Sequence, residues 1–180
     1  MRIAVIGRGN VGGGLARLWR HAGHTVDEFG RDGGDASSAD VLVVAIPGPA
    51  IRTTLVRVGG IAGKPAIDAT NPTDGRPPGF PSLAHLVKSL TGAPVAKAFD
   101  TVFARQYDEI ASTRPAPSCL WSGDDEIGDL VEALIRDAGL HPVRLGDLES
   151  ARAQEDFLLQ LILPLWEGHG KRPFFYRLEL

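Results

Sequence analysis

The 180-residue chain has one cysteine, one methionine and four lysines, and its apolar runs are short. Each shortage excludes something. A lone Cys119 forms no intramolecular disulfide and cannot begin a cysteine-based metal site. Inside the run Cys119-Leu120-Trp121 it reads as a buried strand thiol. No run approaches the length of a membrane-spanning helix, so no membrane partner is expected. Met1-Arg2 leads straight into Ile3-Ala4-Val5-Ile6, and glycines follow before any hydrophobic region of signal-peptide length, which makes a cytoplasmic protein the expectation. Nor is there an excess of positive charge. Nineteen basic residues stand against 22 acidic ones, giving a net charge of −3, which argues against general nucleic-acid binding, since that needs a basic face.

What is present is an alternation of short β-type runs with helical periods. The strand-like runs are Ile3–Ile6, Thr25–Phe29, Val41–Ile46, Pro65–Ala69, Val95–Phe99, Cys119–Trp121 and Pro142–Leu145. Several are apolar throughout, as parallel strands covered on both faces must be. Leu15, Leu18, Trp19 and Ala22 form a helical stripe, as do Leu83, Leu86, Val87 and Leu90 behind a Ser82 N-cap. A third helix follows Asp124-Asp125-Glu126, with Ile127, Leu130, Val131, Leu134 and Ile135 as its stripe and Gly139 just past its end. Strands alternating with helices imply βαβ units and a parallel sheet. The expected architecture is a doubly wound α/β sheet over residues 1–150, with a helix and tail over 151–180 as a C-terminal appendage. Two segments break the rhythm. Gly30 to Ala39 is too short for a normal parallel crossover, so its helix should be missing or reduced to a turn. Asn71 to Pro81 is a Pro/Gly-rich loop after a strand, the kind usually functional or mobile.

Gly7-Arg8-Gly9-Asn10-Val11-Gly12 is a complete GxGxxG, placed where an apolar strand ends and a helix starts. Gly7 permits the tight turn, Gly9 lets a pyrophosphate approach the backbone, and Gly12 lets helix and strand pack closely. Free amides at the helix N-terminus would meet the phosphate charge. The pattern is the Rossmann dinucleotide fingerprint. The end of the second strand, Phe29-Gly30-Arg31-Asp32, then chooses the cofactor. Arg31 suits the 2′-phosphate of NADP, whereas Asp32 would suit the ribose of NAD if the strand ran one residue longer. NADP is the expectation and NAD the alternative. Arg8 adds a second positive charge or stacks on adenine, unless it is a solvated loop arginine.

With Gly30-Arg31, Ala39-Asp40-Val41 through Ala45-Ile46-Pro47, Ile67 to Pro72, Val95 to Phe99, and Ser122 to Asp125, the chain resembles the NADP oxidoreductases that use coenzyme F-420, a deazaflavin. The resemblance runs to about Arg152. It implies that the glycine loop holds the pyrophosphate, that Arg31 and its neighbour Gly30 face the 2′-phosphate, and that Ala45, Ile46, Pro47, Thr70 and Asn71 line the nicotinamide side. It also implies a deazaflavin, a flavin-like molecule or a small carbonyl compound as hydride acceptor. Three positions depart from the family. Gly30 replaces a hydroxyl residue, Asp32 stands where a further basic residue is common, and Asp100 stands where Asn is usual.

No catalytic set is evident. There is no Ser/His/Asp combination, Tyr-x-x-x-Lys pair or metal cluster, and hydride transfer between stacked rings has no obligatory general acid. Lys97 and Asp100, at the sheet edge where ligands of open α/β folds bind, are candidates for the substrate side or for a structural ion pair. His169 is a candidate in a loop that could close over the site. A dinucleotide-binding redox sensor or partner subunit without turnover is the competing reading. It calls for a nicotinamide face blocked by Phe99, Phe103 or the tail. Finally, Phe157 to Trp166 is apolar at all but Gln160. That predicts a homodimer built through the C-terminal helix, with Pro164 kinking or ending it.

Overall fold

The computed structural model describes residues 1–179. The strands are β1 (Arg2–Ile6), β2 (Thr25–Phe29), β3 (Gly34–Asp35), β4 (Val41–Val44) and β5 (Val58–Gly59). They continue with β6 (Ala66–Asp68), β7 (Val95–Ala98), β8 (Ser118–Gly123) and β9 (His141–Gly146). Helices are α1 (Asn10–His21), α2 (Ile51–Leu55), α3 (Leu83–Thr91), α4 (Gly128–Asp137), α5 (Ala151–Phe157) and α6 (Leu163–Gly168). Seven strands form the main sheet in the order β2-β1-β4-β6-β7-β8-β9, and β3 pairs with β5 as a separate ribbon.

The apolar strands earn their place by alternation. Ile3, Val5, Val41 and Val43 enter one core with Leu15, Trp19, Val131 and Leu134, so α1 and α4 cover that face. Ala4, Ile6, Leu42 and Val44 enter the other with Ile51, Leu55, Leu83 and Ala151, beneath α2, α3 and α5. Successive side chains point to opposite faces, so a strand lying between two helical layers has to be apolar at every position. The result is a doubly wound α/β architecture of Rossmann type.

As expected, no helix links β2 to β4. Gly30 and Gly33 close a tight turn, and Ala36 N donates to Gly59 O at 2.8 Å, fastening the connection to β5. Gly33 has φ +80°, and a Cβ there would stand 2.1 Å from Arg57 O, so the segment can approach its neighbour only without a side chain. Ser82 caps α3 by accepting from His85 N, and Gly139 follows α4 with φ +82°.

Two expectations need correction. The sheet is not wholly parallel, because β8 runs antiparallel to β7 while pairing parallel with β9. The chain between β7 and β8 forms a 3-10 segment over Ala104–Ser112, and an antiparallel neighbour needs no crossover back along the sheet. Pro164 does not end the C-terminal helix. A π-helical turn over Leu158–Ile162 comes just before it, and α6 runs on to Gly168. The wider turn changes the backbone register where a proline ring would otherwise meet the carbonyl of the preceding turn. Beyond α6 the tail returns beside β8, with Ser118 N donating to Tyr176 O at 3.0 Å and Leu178 N to Ser118 Oγ at 2.9 Å.

Candidate functional site

The ends of β1, β2 and β4 meet at Gly7. Its amide donates to Phe29 O at 2.9 Å, and with φ +123° a Cβ there would lie 2.1 Å from Ala45 O. α1 then starts at Asn10, with Gly9 as an N-cap lacking any side-chain bond and with no acidic residue in its first turn. Its leading amides are left for another partner. At Gly12 a Cβ would stand 2.0 Å from Gly7 O, so helix and loop are pressed together, whereas Gly9 has no heavy atom within 4 Å of that position.

The chain leaves β1 towards β2 and leaves β4 towards β6, in opposite directions across the sheet. At such a switch point the strand ends open a crevice. Two adjoining hollows occupy it, about 350 Å³ and 410 Å³, and share Gly9, Ala45, Ile46 and Pro47. The first is completed by Gly7, Arg8, Gly30 and Arg31, with Ala50 and Thr54. The second is completed by Asn10, Val11, Thr70 and Asn71, with Ala69, Thr73 and Asp74. Every binding position expected from the sequence thus lines the crevice except Gly12, which supports the loop from behind. Ala50, Thr54, Ala69, Thr73 and Asp74 were not foreseen. The last two belong to the Asn71–Pro81 loop, whose composition was the available signal.

The first hollow carries positive charge, and among the described residues no carboxylate lines it. β2 ends at Phe29, so Arg31 and Asp32 fall together on the Gly30–Gly33 turn. Arg31 lines the hollow and Asp32 does not. Arg57 Nη1 donates to Arg31 O at 3.2 Å. The Arg8 side chain is fixed, donating to Glu28 O from Nε at 3.2 Å and Nη2 at 2.9 Å. Its guanidinium lies beside Gly30, while the Glu28 carboxylate is taken by Arg20 at 2.7 Å.

Lys97 and Asp100 sit beneath the second hollow, not in it. Lys97 is fully buried, and its Nζ meets Asp68 Oδ2 at 2.8 Å, Glu155 Oε1 at 3.0 Å and Thr70 O at 2.7 Å. Burial works against this ammonium, but Asp68, Asp100 and Glu155 outweigh it and hold its pKa up at about 12. It is a structural cation. Asp100 is pushed up to about 7 by burial, against the opposing pull of Lys97 and of a hydrogen bond from Gln154. Its Oδ1 accepts from Gln154 Nε2 at 2.6 Å, and its Oδ2 is buried without a partner. His169 is exposed at the end of α6, with Nδ1 2.8 Å from Leu165 O. It lines a separate hollow with Leu165, Arg172, Pro173 and Phe174, not the crevice. Phe99 packs edge-on to Trp19 at 5.5 Å, and Phe103 packs on Trp166 at 6.0 Å and Phe174 at 5.5 Å. Neither lines the crevice, and nor does any described residue of the tail.

The architecture is that of Rossmann-like α/β proteins, and solved structures agree. The chain superposes on a protein from an Arthrobacter species, provisionally named an F-420-dependent NADP reductase, with TM-score 0.82 and 24% identity over 100% of both chains. A reductive aminase from Aspergillus terreus, solved with NADPH and ethyl levulinate, gives TM-score 0.70 and 21% identity, covering 93% of this chain and 63% of that one. The 3-hydroxyisobutyrate dehydrogenase of Mycobacterium tuberculosis gives 0.61 and 17%, covering 95% and 66%. At these identities the likeness establishes the fold. No protein-family model matches the chain, and no curated protein is similar to it by sequence.

Proposed function

We propose that the chain is an NADPH-dependent oxidoreductase that exchanges hydride with a deazaflavin, a flavin-like molecule or a small carbonyl compound. The observation that carries this reading is a crevice at the switch point with an arginine, and no carboxylate, at its β2 end. The residues fit the cofactor. Gly9 leaves the space that a pyrophosphate needs above the uncapped start of α1, and Arg31 with Arg8 suits a 2′-phosphate. At the far end Asn71 Oδ1 is buried without a partner, an acceptor waiting for a donor of the kind a carboxamide supplies. Bound there, NADPH supplies the hydride.

The protein's own contribution is position. Thr70 cannot act as a free hydroxyl, because its Oγ1 donates to Asp68 Oδ1 at 2.5 Å. Among the described residues Asp74 is the one titratable group lining the second hollow. A ring acceptor that stacks on the nicotinamide is therefore better served than a carbonyl needing a well-placed acid. The competing reading without turnover draws no support from Phe99, Phe103 or the tail, which lie away from the crevice. Two of the neighbours in the fold, one named an NADP reductase and one a reductive aminase solved with NADPH, favour turnover as well.

The proposal includes a cytoplasmic homodimer. Leu158 and Ile162 turn into the domain, whereas Leu161 and Leu165 are 45% and 40% exposed on the same helix. A second copy would cover them.

The test follows NADPH and NADH oxidation against a panel of acceptors that includes the deazaflavin, with Arg31→Ala in parallel. NADPH should be preferred, and the variant should lose that preference by about tenfold or more, since a charged phosphate contact is worth about 1.5–3 kcal/mol. Equal use of NADH by the unaltered protein would make Asp32 the ribose ligand. Oxidation with no acceptor, despite tight NADPH binding, would return the sensor reading.

A further inference from the structure

Two consecutive residues of the C-terminal helix, Gln154 and Glu155, are fully buried, and each is linked through one intermediary residue to a different residue lining the second hollow. Gln154 Nε2 donates to Asp100 Oδ1 at 2.6 Å, and the Asp100 carbonyl accepts from Asn71 Nδ2 at 3.2 Å. Glu155 Oε1 meets Lys97 Nζ at 3.0 Å, and that ammonium holds Thr70 O at 2.7 Å. The other Glu155 oxygen accepts from Arg76 Nε at 2.6 Å, while Arg76 Nη2 bonds Asp156 Oδ1 at 2.6 Å. Arg76 belongs to the loop that brings Thr73 and Asp74 into the hollow. Within that loop the backbone bonds itself only at two turns, Gly75 N to Pro72 O and Phe80 N to Pro77 O.

We propose that Gln154, Glu155 and Arg76 are positioning residues, through which the C-terminal helix sets the geometry of the nicotinamide end of the crevice. The proposal rests on the dinucleotide reading above. Stability alone does not account for such a network. Buried ion sets are often replaceable by apolar residues without loss, whereas removing one member leaves an uncompensated charge. What this set does that an apolar cluster could not is fix polar backbone and side-chain groups at three points along one stretch of chain. The points are Thr70, Asn71 and the loop around Thr73 and Asp74, all on one side of the crevice. The first hollow has no such link to the helix: Arg8 is held from β2 and the Arg31 carbonyl by Arg57. Arginine suits position 76 because its planar fork spans two carboxylates at once.

The consequence is a selective effect. Arg76→Met keeps Glu155 on Lys97 and on Leu83 N at 2.8 Å. Among the described residues it leaves Lys97 as the one buried cation for both Asp68 and Glu155, and so costs stability. Denaturant unfolding checks that it folds, and Arg76→Lys, which keeps the charge without the fork, is the second variant. Hydrogen exchange in the free protein should then accelerate about tenfold or more across residues 73–80, while the glycine-loop amides stay as they were. NADPH affinity should fall about tenfold, with affinity for 2′-phospho-ADP-ribose, which lacks the nicotinamide, staying within about twofold. Arg76→Lys should recover part of both effects. Unchanged exchange in the loop, or equal weakening of both ligands, would overturn the proposal. If the unaltered protein binds neither ligand, the dinucleotide reading is what fails, and loop exchange alone then decides whether the helix holds the loop.

Discussion

Gly9→Val separates the two jobs of the glycine loop, because only one of them needs space at that position. Gly9 has extended backbone, φ −79° and ψ −167°, which valine adopts readily, and no heavy atom lies within 4 Å of its would-be Cβ. Valine is a poorer N-cap than glycine by roughly 1 kcal/mol. Restricting the unfolded chain returns about 0.4–1 kcal/mol. The free variant should therefore match the unaltered protein to within about 1 kcal/mol. Gly12→Ala is the contrast. Its Cβ would lie 2.0 Å from Gly7 O, and that contact has no flexible side chain to yield, so a loss of about 1–3 kcal/mol or more is expected. For the ligand the order reverses. The valine methyl groups would stand where the pyrophosphate must come within bonding distance of the first amides of α1. Two charge-assisted bonds lost, at about 1.5–3 kcal/mol each, weaken binding by about 3–6 kcal/mol, a hundredfold or more. Denaturant unfolding and calorimetric titration with NADPH on the same preparations measure both halves. NADPH bound by Gly9→Val with nearly unaltered affinity would refute the assignment of the loop. So would a Gly9→Val protein as unstable as Gly12→Ala.

Two further outcomes are expected. Burial raises the Asp100 pKa from 3.8 to about 7, so between those values the folded protein holds a proton that the unfolded chain releases. Stability from this group is lost as pH rises through that window. Asp100→Asn keeps an oxygen facing Gln154 and has no such proton. Denaturant midpoints should therefore move in favour of the variant from about pH 4 to about pH 7, and a pH-independent difference would show that Asp100 is not the group responsible. For the dimer, light scattering should give the mass of two chains, falling to one for Leu161→Glu. Leu158 is the wrong probe, being 4% exposed against its own domain. A single-chain mass for the unaltered protein would end the dimer proposal.

Much of this site was legible in one dimension because its causes are local. A GxGxxG between an apolar strand and a helix is a short-range constraint: the turn at Gly7 and the close contact at Gly12 involve residues within one βα unit or the adjoining strand. The ten residues from Gly30 to Ala39 were too few for a helix whatever surrounded them. Unbroken apolarity along β1 and β4 marked strands covered on both faces, and these are the strands whose ends form the crevice. For the same reason Arg31, one turn past β2, could be assigned to the crevice before any neighbour was known.

What the sequence could not decide depended on distant partners. Nothing within Val95–Phe99 says that Lys97 will be neutralised by Asp68 and by Glu155, 58 positions further on, rather than reach a substrate. A lysine at a strand end has the same local pattern in either case. The reversal of β8 depends on where the segment after β7 packs, and the passage of the C-terminal helix through Pro164 depends on a π turn that no apolar period reveals. Gln154 and Glu155 read as ordinary helix-surface residues until the helix is laid on the sheet. Their role exists only in three dimensions, because burial turns an exposed polar pair into groups that must find partners, and the available partners are the segments lining the crevice.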